Sequence, residues 1–281
     1  MKIAWENVLD PEDAEIVVLG CTNEEGSAFE GAAKGPDAIR KASNEWLTGE
    51  YSDSMPFQYS PQWNSVKKKV FDHGNVLKSE LFDFVQNITA SKRIPFVLGG
   101  DHSITTEILK AFNEEHKNIS IVYLDAHPDF TSRETGYYAS VLAEANEFEN
   151  IKLNKSVLVG VRAATYHELE NIKKSKLKTF YSVDFVDKGV KKIFSEIKKH
   201  IGKKFYLSID VDILDSAFAP GVSDPVPGGI SSNELFWLCK KLAELKPVGV
   251  DLVEVIPDND VRDKTSMLAA KLVSEIIASF K

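Results

Sequence analysis

Little in this chain is set aside for stapling, spanning or tethering. Among its 281 residues there are two cysteines, Cys21 and Cys239. They form neither a C-x-x-C pair nor a framework, which excludes a disulfide scaffold and predicts a reduced compartment. Both read as small buried apolar residues. No apolar run approaches the ~20 residues that span a bilayer. The start, Met1-Lys2-Ile3-Ala4-Trp5-Glu6, has no apolar leader core and turns acidic at once, so a cytoplasmic protein is expected. Basic blocks are short, as at Lys67-Lys68-Lys69, against a formal net charge of −8. That balance disfavours nucleic acid and suits a small cationic partner. Internal repeats, low-complexity tracts and Pro/Gly/Ser linkers are absent, and residues 1–281 read as one domain. With 43% apolar residues the chain has enough for a full core.

What is present is an alternation. Short Val/Ile/Leu-rich strands are expected at Ile16–Gly20, Val70–Asp72, Ile94–Leu98, Ile119–Leu124, Ser156–Val161, Thr179–Ser182, Phe205–Ile209 and Val248–Val255. Helical patterns lie between them, including one that begins at Gly35-Pro36, one over Tyr138 to Glu147 and one over Asp187 to His200. Residues 47–66 have no clear period and predict an irregular excursion. Apolar strands alternating with helices imply a parallel sheet covered on both faces. Periodicity alone leaves a barrel and an open sheet both standing.

Chemistry-bearing residues gather at the ends of these strands. Asp125, His127 and Asp129 follow the strand ending at Leu124, spaced to share one face of an extended chain. Ser208, Asp210 and Asp212 repeat the pattern on a second strand. His102 closes a third after Gly99-Gly100-Asp101, and Glu254 closes a fourth. Each run alone is commoner as a polar loop or a helix cap. Together they sit where open α/β sheets bind ligands. Four aspartates in one cleft need cations to stay ionised. Two divalent ions balance that charge. His102, Asp125, His127, Asp129, Asp210 and Asp212 suit a hard or borderline ion such as Mn²⁺; Fe²⁺ and Co²⁺ fit the same donors. Two such ions sharing a water give hydroxide near neutral pH, which points to hydrolysis.

These motifs resemble the ureohydrolases, the superfamily of arginases, agmatinases and formimidoylglutamases. The resemblance rests on Gly99-Gly100-Asp101-His102-Ser103, on Asp125-Ala126-His127-Pro128-Asp129, and on Ser208-Ile209-Asp210-Val211-Asp212 with its continuation to Pro227-Gly228-Gly229. Gly35–Arg40 and Val248–Glu254 support it. It implies a three-layer α/β/α arginase-like fold with a central eight-stranded parallel sheet, a binuclear Mn²⁺ site on the six residues above, and a homotrimer or homohexamer. It implies that Glu254 binds the substrate guanidinium and that Asp129 also bonds the bridging hydroxide and helps move its proton. The short chain and the D-A-H-P-D variant resemble agmatinase-like members more than arginases, so agmatine cleaved to putrescine and urea is the leading expectation. Formimidoylglutamate and guanidino acids are the alternatives.

The chain also departs from the pattern. Most members of the family carry a proton-shuttle histidine shortly after D-A-H-x-D, and here the junction reads Gly136-Tyr137-Tyr138-Ala139. Tyr138 or His167 is the expected substitute. The other readings are a solvent route for the proton, or a metal-binding homologue that does not turn over. In the loop before it, Glu134 would suit an amine tail and Arg133 a carboxylate tail, while His167 is a further candidate substrate contact. Asn75 stands where an aspartate is common, and Asp224 where a threonine is common.

Overall fold

The computed structural model of the chain describes residues 3–4, 6–47, 68–131 and 136–281. The irregular excursion expected over 47–66 lies outside them, apart from Leu47. So do Arg133 and Glu134.

In chain order the elements are β1 (Ile16–Cys21), α1 (Gly35–Leu47), β2 (Val70–Val76), α2 (Lys78–Ala90), β3 (Ile94–Gly99), α3 (Ile104–Glu115), β4 (Ser120–Leu124), α4 (Val141–Ala145), β5 (Val157–Val161), α5 (Tyr166–Ser175), β6 (Lys178–Tyr181), α6 (Ser182–Lys188), α7 (Val190–His200), β7 (Phe205–Asp210), α8 (Ser232–Ala243), β8 (Val250–Val253) and α9 (Lys264–Ser279). The strands form one eight-stranded sheet in the order β2-β1-β3-β8-β7-β4-β5-β6. Every pairing is parallel. The barrel alternative is thereby excluded, and the arginase-like three-layer fold is the one observed.

Both faces of the sheet are dry. Ile16, Val18, Val122, Leu124, Leu207 and Ile209 pack on one side against α1, α7, α8 and α9, through Ile39, Ile197, Leu238 and Leu272. Their neighbours Val17, Leu19, Ile121, Tyr123 and Tyr206 face the other side, against α2, α3, α4 and α5, through Leu81, Ile108, Leu142 and Ile172. Side chains alternate with period 2, yet both sets are buried, which is why these strands read as continuous apolar runs. The ends of the helices follow local chemistry. Ser231 accepts from Glu234 N–H while the Glu234 carboxylate accepts from Ser231 N–H, a reciprocal cap that starts α8.

Two expected helices differ. The one over Asp187 to His200 is split by Gly189 at φ 73°, so that α6 ends and α7 begins there. The one over Tyr138 to Glu147 is a 3₁₀ turn, Tyr138–Ser140, followed by the short α4. Among the described residues no helix is long and apolar enough to cross a membrane. Both cysteines are buried and unpaired.

Candidate metal centre

The topology creates the site. Strands β3 and β4 are consecutive in sequence, but β8 and β7 are inserted between them. The carboxyl ends of β3, β8, β7 and β4 therefore lie side by side in the middle of the sheet. They carry His102, Glu254, Asp210 and Asp125 in that order. A crevice at such a switch point is where this class of sheet binds ligands.

Each end is shaped by its own sequence. After β3 the backbone presses against the loop that follows β1: Gly100 N–H donates to Cys21 O at 2.9 Å and Asp101 N–H to Asn23 O at 2.9 Å. A Cβ at Gly100 would overlap the Asn23 backbone, so glycine is required there. Asp101 takes the Ser103 N–H as a cap would, and its other oxygen ties down Gly26 N–H at 2.9 Å. After β4 the chain does not stay extended. The strand stops at Leu124, His127 N–H folds back onto Asp125 Oδ1 at 2.6 Å, and Asp129 is left-handed at φ 48°. The convergence of Asp125, His127 and Asp129 thus comes from a tight loop rather than from strand alternation. After β7, Asp210 accepts the Asp212 N–H at 2.7 Å and starts a 3₁₀ turn that brings Asp212 round. Arg162 holds this turn through the carbonyls of Asp212 at 2.6 Å and Leu214 at 3.1 Å.

The six expected residues come together in two overlapping groups. His102 Nδ1 lies 3.1 Å from Asp125 Oδ2, 3.2 Å from Asp129 Oδ2 and 3.2 Å from Asp210 Oδ2. His127 Nδ1 lies 2.8 Å from Asp212 Oδ2 and 3.5 Å from Asp125 Oδ1. Asp125 belongs to both groups, one oxygen to each. Within each of the sets His102–Asp125–Asp129 and Asp125–His127–Asp212, the donor atoms lie within 4.8 Å of one another.

These groups suit cations on two counts. Asp125 Oδ2 is buried with only the His102 imidazole, 3.1 Å away and shared with Asp129 and Asp210, to meet it among the described residues, a costly state for a carboxylate oxygen unless a cation sits beside it. Protonation in the bare cluster tells the same story. Burial and the neighbouring charges of Asp129 and Asp212 push Asp125 up to about 7, and burial with Asp212 and Asp125 pushes Asp210 well up. Burial disfavours the charged form of both histidines, but the surrounding aspartates outweigh it, raising His102 well above its usual value and His127 to about 12. For Asp212, burial is outweighed by His127, which holds the carboxyl low. The cluster binds protons strongly where a divalent ion would supply the same positive charge.

Glu254 is fixed beside the cluster. It leaves β8, which ends at Val253 rather than Val255, in the left-handed region at φ 66°. Its Oε1 accepts from His102 N–H and its Oε2 from Ser223 Oγ, both at 2.8 Å. Burial, with the charge of Asp101, pushes it up to about 8. A non-glycine residue held at positive φ stores strain, and here both Glu254 and Asp129 are so held.

A model of the arginase family matches residues 14–278. The chain belongs to the arginase family. It is 30% identical over 295 residues to an agmatinase of Chromobacterium violaceum, across 95% of this chain and 84% of that protein. It is 28% identical to proclavaminate amidinohydrolase of Streptomyces clavuligerus, across 96% of this chain and 89% of the relative. The solved agmatine ureohydrolase of Thermoplasma volcanium superposes with a TM-score of 0.84 at 30% identity, covering 99% of this chain and 93% of that one.

The remaining expectations for this family member fall differently. Tyr138 is half-buried at the rim. Burial and Tyr137 push its hydroxyl up, and so do the charges of Asp129 and Glu254. His167 is exposed in the first turn of α5 and is not in either carboxylate–imidazole group found among the described residues. Its neighbour Glu168 points inward instead, to Phe130 N–H at 3.3 Å, because it closes the helix cap with Thr165. Asn75 accepts from Arg40 and donates to Asp37 at 3.1 Å. An aspartate there would face the Asp37 carboxylate. Asp224 reaches His127 Nε2 at 3.4 Å.

Two buried hydroxyls escaped the sequence reading. Tyr123 donates to Asp129 Oδ2 at 2.6 Å, and Ser208 Oγ lies 2.9 Å from His102 Nε2. The spacing puts Ser208 on the face of Asp210 and Asp212, and the structure adds its role. Tyr123 stands two residues before Asp125, so strand alternation carried the signal for it.

Proposed function

We propose that this chain is a binuclear metal hydrolase that cleaves a guanidino compound to urea and an amine, with agmatine as the leading substrate. The observation that carries the reading is the pair of carboxylate–imidazole groups sharing Asp125, with the Glu254 carboxylate fixed beside them. His102, Asp125, Asp129 and Asp210 would hold one ion, and Asp125, His127, Asp210 and Asp212 the other. Mn²⁺ suits this oxygen-rich donor set, and Fe²⁺ and Co²⁺ are outcomes of the same metal assay. Bound ions would supply Lewis-acid charge and an activated water.

The protein's own part is positioning and proton control. Glu254, anchored by His102 N–H and Ser223, would present its carboxylate to a planar guanidinium and hold the carbon toward the ions. Asp129 would accept a proton from the water as it attacks. Tyr138, at the rim, would return one to the departing nitrogen. Among the described residues, charge favours an amine tail. Asp224, half-exposed on the open side, is acidic, whereas Arg162 gives its donors to backbone carbonyls and Lys78 to Ser103 and the Gly136 carbonyl. Similarity to an agmatinase supports the same choice.

Urea release from agmatine, arginine and short guanidino acids, measured with added Mn²⁺, tests this. Agmatine should be turned over fastest. Formamide from formimidoylglutamate would move the substrate to the alternative class, and silence across the panel would leave only metal binding.

A further inference from the structure

We propose that Tyr123 is a positioning residue for the deeper half of the cluster. Its phenol sets how tightly the His102 side holds an ion, and leaves the His127 side alone. The inference rests on the two-ion reading above.

Tyr123 and Ser208 are register partners on neighbouring strands β4 and β7, so their side chains leave the same face of the sheet. Between them they address both ring nitrogens of His102. Ser208 Oγ–H donates to Asp251 Oδ1 at 2.7 Å, so at 2.9 Å it accepts from His102 Nε2–H. That contact makes Nε2 the protonated nitrogen of a neutral ring, so that Nδ1 would be free to hold an ion among the three aspartate oxygens. Tyr123 works on the other nitrogen. Its ring stacks on the imidazole, with centroids 4.6 Å apart and planes 3° from parallel. Its oxygen lies 3.1 Å from Nδ1, and its O–H donates to Asp129 Oδ2 at 2.6 Å. The side chain is fully buried, and its one O–H proton goes to Asp129.

Two donors are thus locked at once. The ring stops His102 from tilting, and the hydroxyl holds Asp129 in the rotamer that presents Oδ2 to Nδ1. Neither restraint touches the group made by Asp125, His127 and Asp212, because Asp129 and His102 are not in it. Tyr206, two residues before Ser208 on β7 and also buried, gives its hydroxyl proton to Asp251 instead. Loss of an orienting partner of this kind typically costs about 10–100-fold in metal affinity.

The test is calorimetric titration of Mn²⁺ into purified wild-type protein and Tyr123→Phe, with electron paramagnetic resonance to separate an isolated ion from a coupled pair and circular dichroism to check the fold. Wild type should take two ions per chain. Tyr123→Phe should keep one at near-wild-type affinity and bind the second about 10–100-fold more weakly. At two equivalents its spectrum should then show isolated Mn²⁺ where wild type shows a pair. Tyr123→His, which keeps a stacking ring and a donor, should recover much of the loss. Unchanged binding of both ions in Tyr123→Phe overturns the inference. So does an equal loss at both positions, which would make Tyr123 a general packing residue; a Phe variant that fails to fold while the His variant binds both ions normally counts the same way. Wild type that takes no ion at all would instead sink the two-ion reading.

Discussion

The two halves of the cluster have the same chemistry and opposite surroundings. On one side His102 is 1% exposed and enclosed by Asp125, Asp129, Asp210, Tyr123 and Ser208. On the other, His127 is 23% exposed, and its outer nitrogen faces Asp224, which is itself 53% exposed. The closed side is built from the inner strands and a helix start. The open side is built from loops, stapled by Arg162. A low-dielectric pocket makes every misplaced charge expensive, whereas a wet one screens it. The closed side should therefore govern whether the centre assembles, and the open side what reaches it.

Asp125 is the strongest place to break that division, because it serves both halves. Asp125→Asn should abolish coupled metal binding and lower turnover by about 10³-fold or more. Retention of a coupled Mn²⁺ pair would show that the halves do not depend on their shared carboxylate. Glu254→Gln comes next. It keeps the hydrogen bonds to His102 N–H and Ser223 within reach but removes the charge facing a guanidinium. The expected loss is about 10²-fold in kcat/KM, with both ions still bound. If the ions leave with the charge, Glu254 belongs to the centre rather than to the substrate.

What could be read in advance followed the same line. Strands buried on both faces announce themselves as apolar runs, and the metal-capable residues at their ends were legible as residue types. The route by which they meet was less so. Asp129 and Glu254 reach the cluster through left-handed backbone, and Asp212 through a 3₁₀ turn, none of which alternation predicts. Tyr123 was hidden because a tyrosine in an apolar strand looks like core, and only the position of its hydroxyl separates it from Tyr206. His167 is the reverse case. A histidine near the right place in sequence lies on the solvent face once Glu168 has turned inward to cap α5. The bent segment from Tyr138 to Ala145 differs from one continuous helix because Leu142 N–H is bonded to Asp129 O, which ties its start to the site.

Stripping the metal should expose the charge imbalance as a pH effect. Asp125 and Glu254 titrate near 7 and 8 when folded, above the ordinary carboxyl values of 3.8 and 4.5. The folded chain then binds more protons than the unfolded one between those limits. Stability must fall as pH rises through about 4 to 8. His127, raised from 6.5 to about 12, acts in the same direction above pH 6.5. Chelated protein should lose several degrees in Tm between pH 5 and 8, with about 2–4 °C for each 1 kcal/mol at this chain size. Mn²⁺ should cancel or reverse the slope, since its ligands must be deprotonated. A chelated protein whose Tm rises over that range would mean that the cluster is not the dominant buried charge.

The gentlest perturbation belongs to the open side. Asp224 lies 3.4 Å from His127 Nε2, long for a hydrogen bond, and is more than half exposed. Solvent screens it, so it should orient His127 only weakly while still contributing negative charge at the mouth. Asp224→Thr should leave both ions bound, shift affinity for the His127-side ion by less than about 10-fold, and leave kcat nearly unchanged. Its effect should appear in KM for a cationic substrate, as a several-fold rise that shrinks with added salt. The contrast with Tyr123→Phe is the useful part: the deep hydroxyl is predicted to act on metal and not on KM, and the outer carboxylate on KM and not on metal. An Asp224→Thr variant that loses kcat at unchanged KM would place this carboxylate in the chemistry and dissolve the distinction between an assembling side and an admitting side.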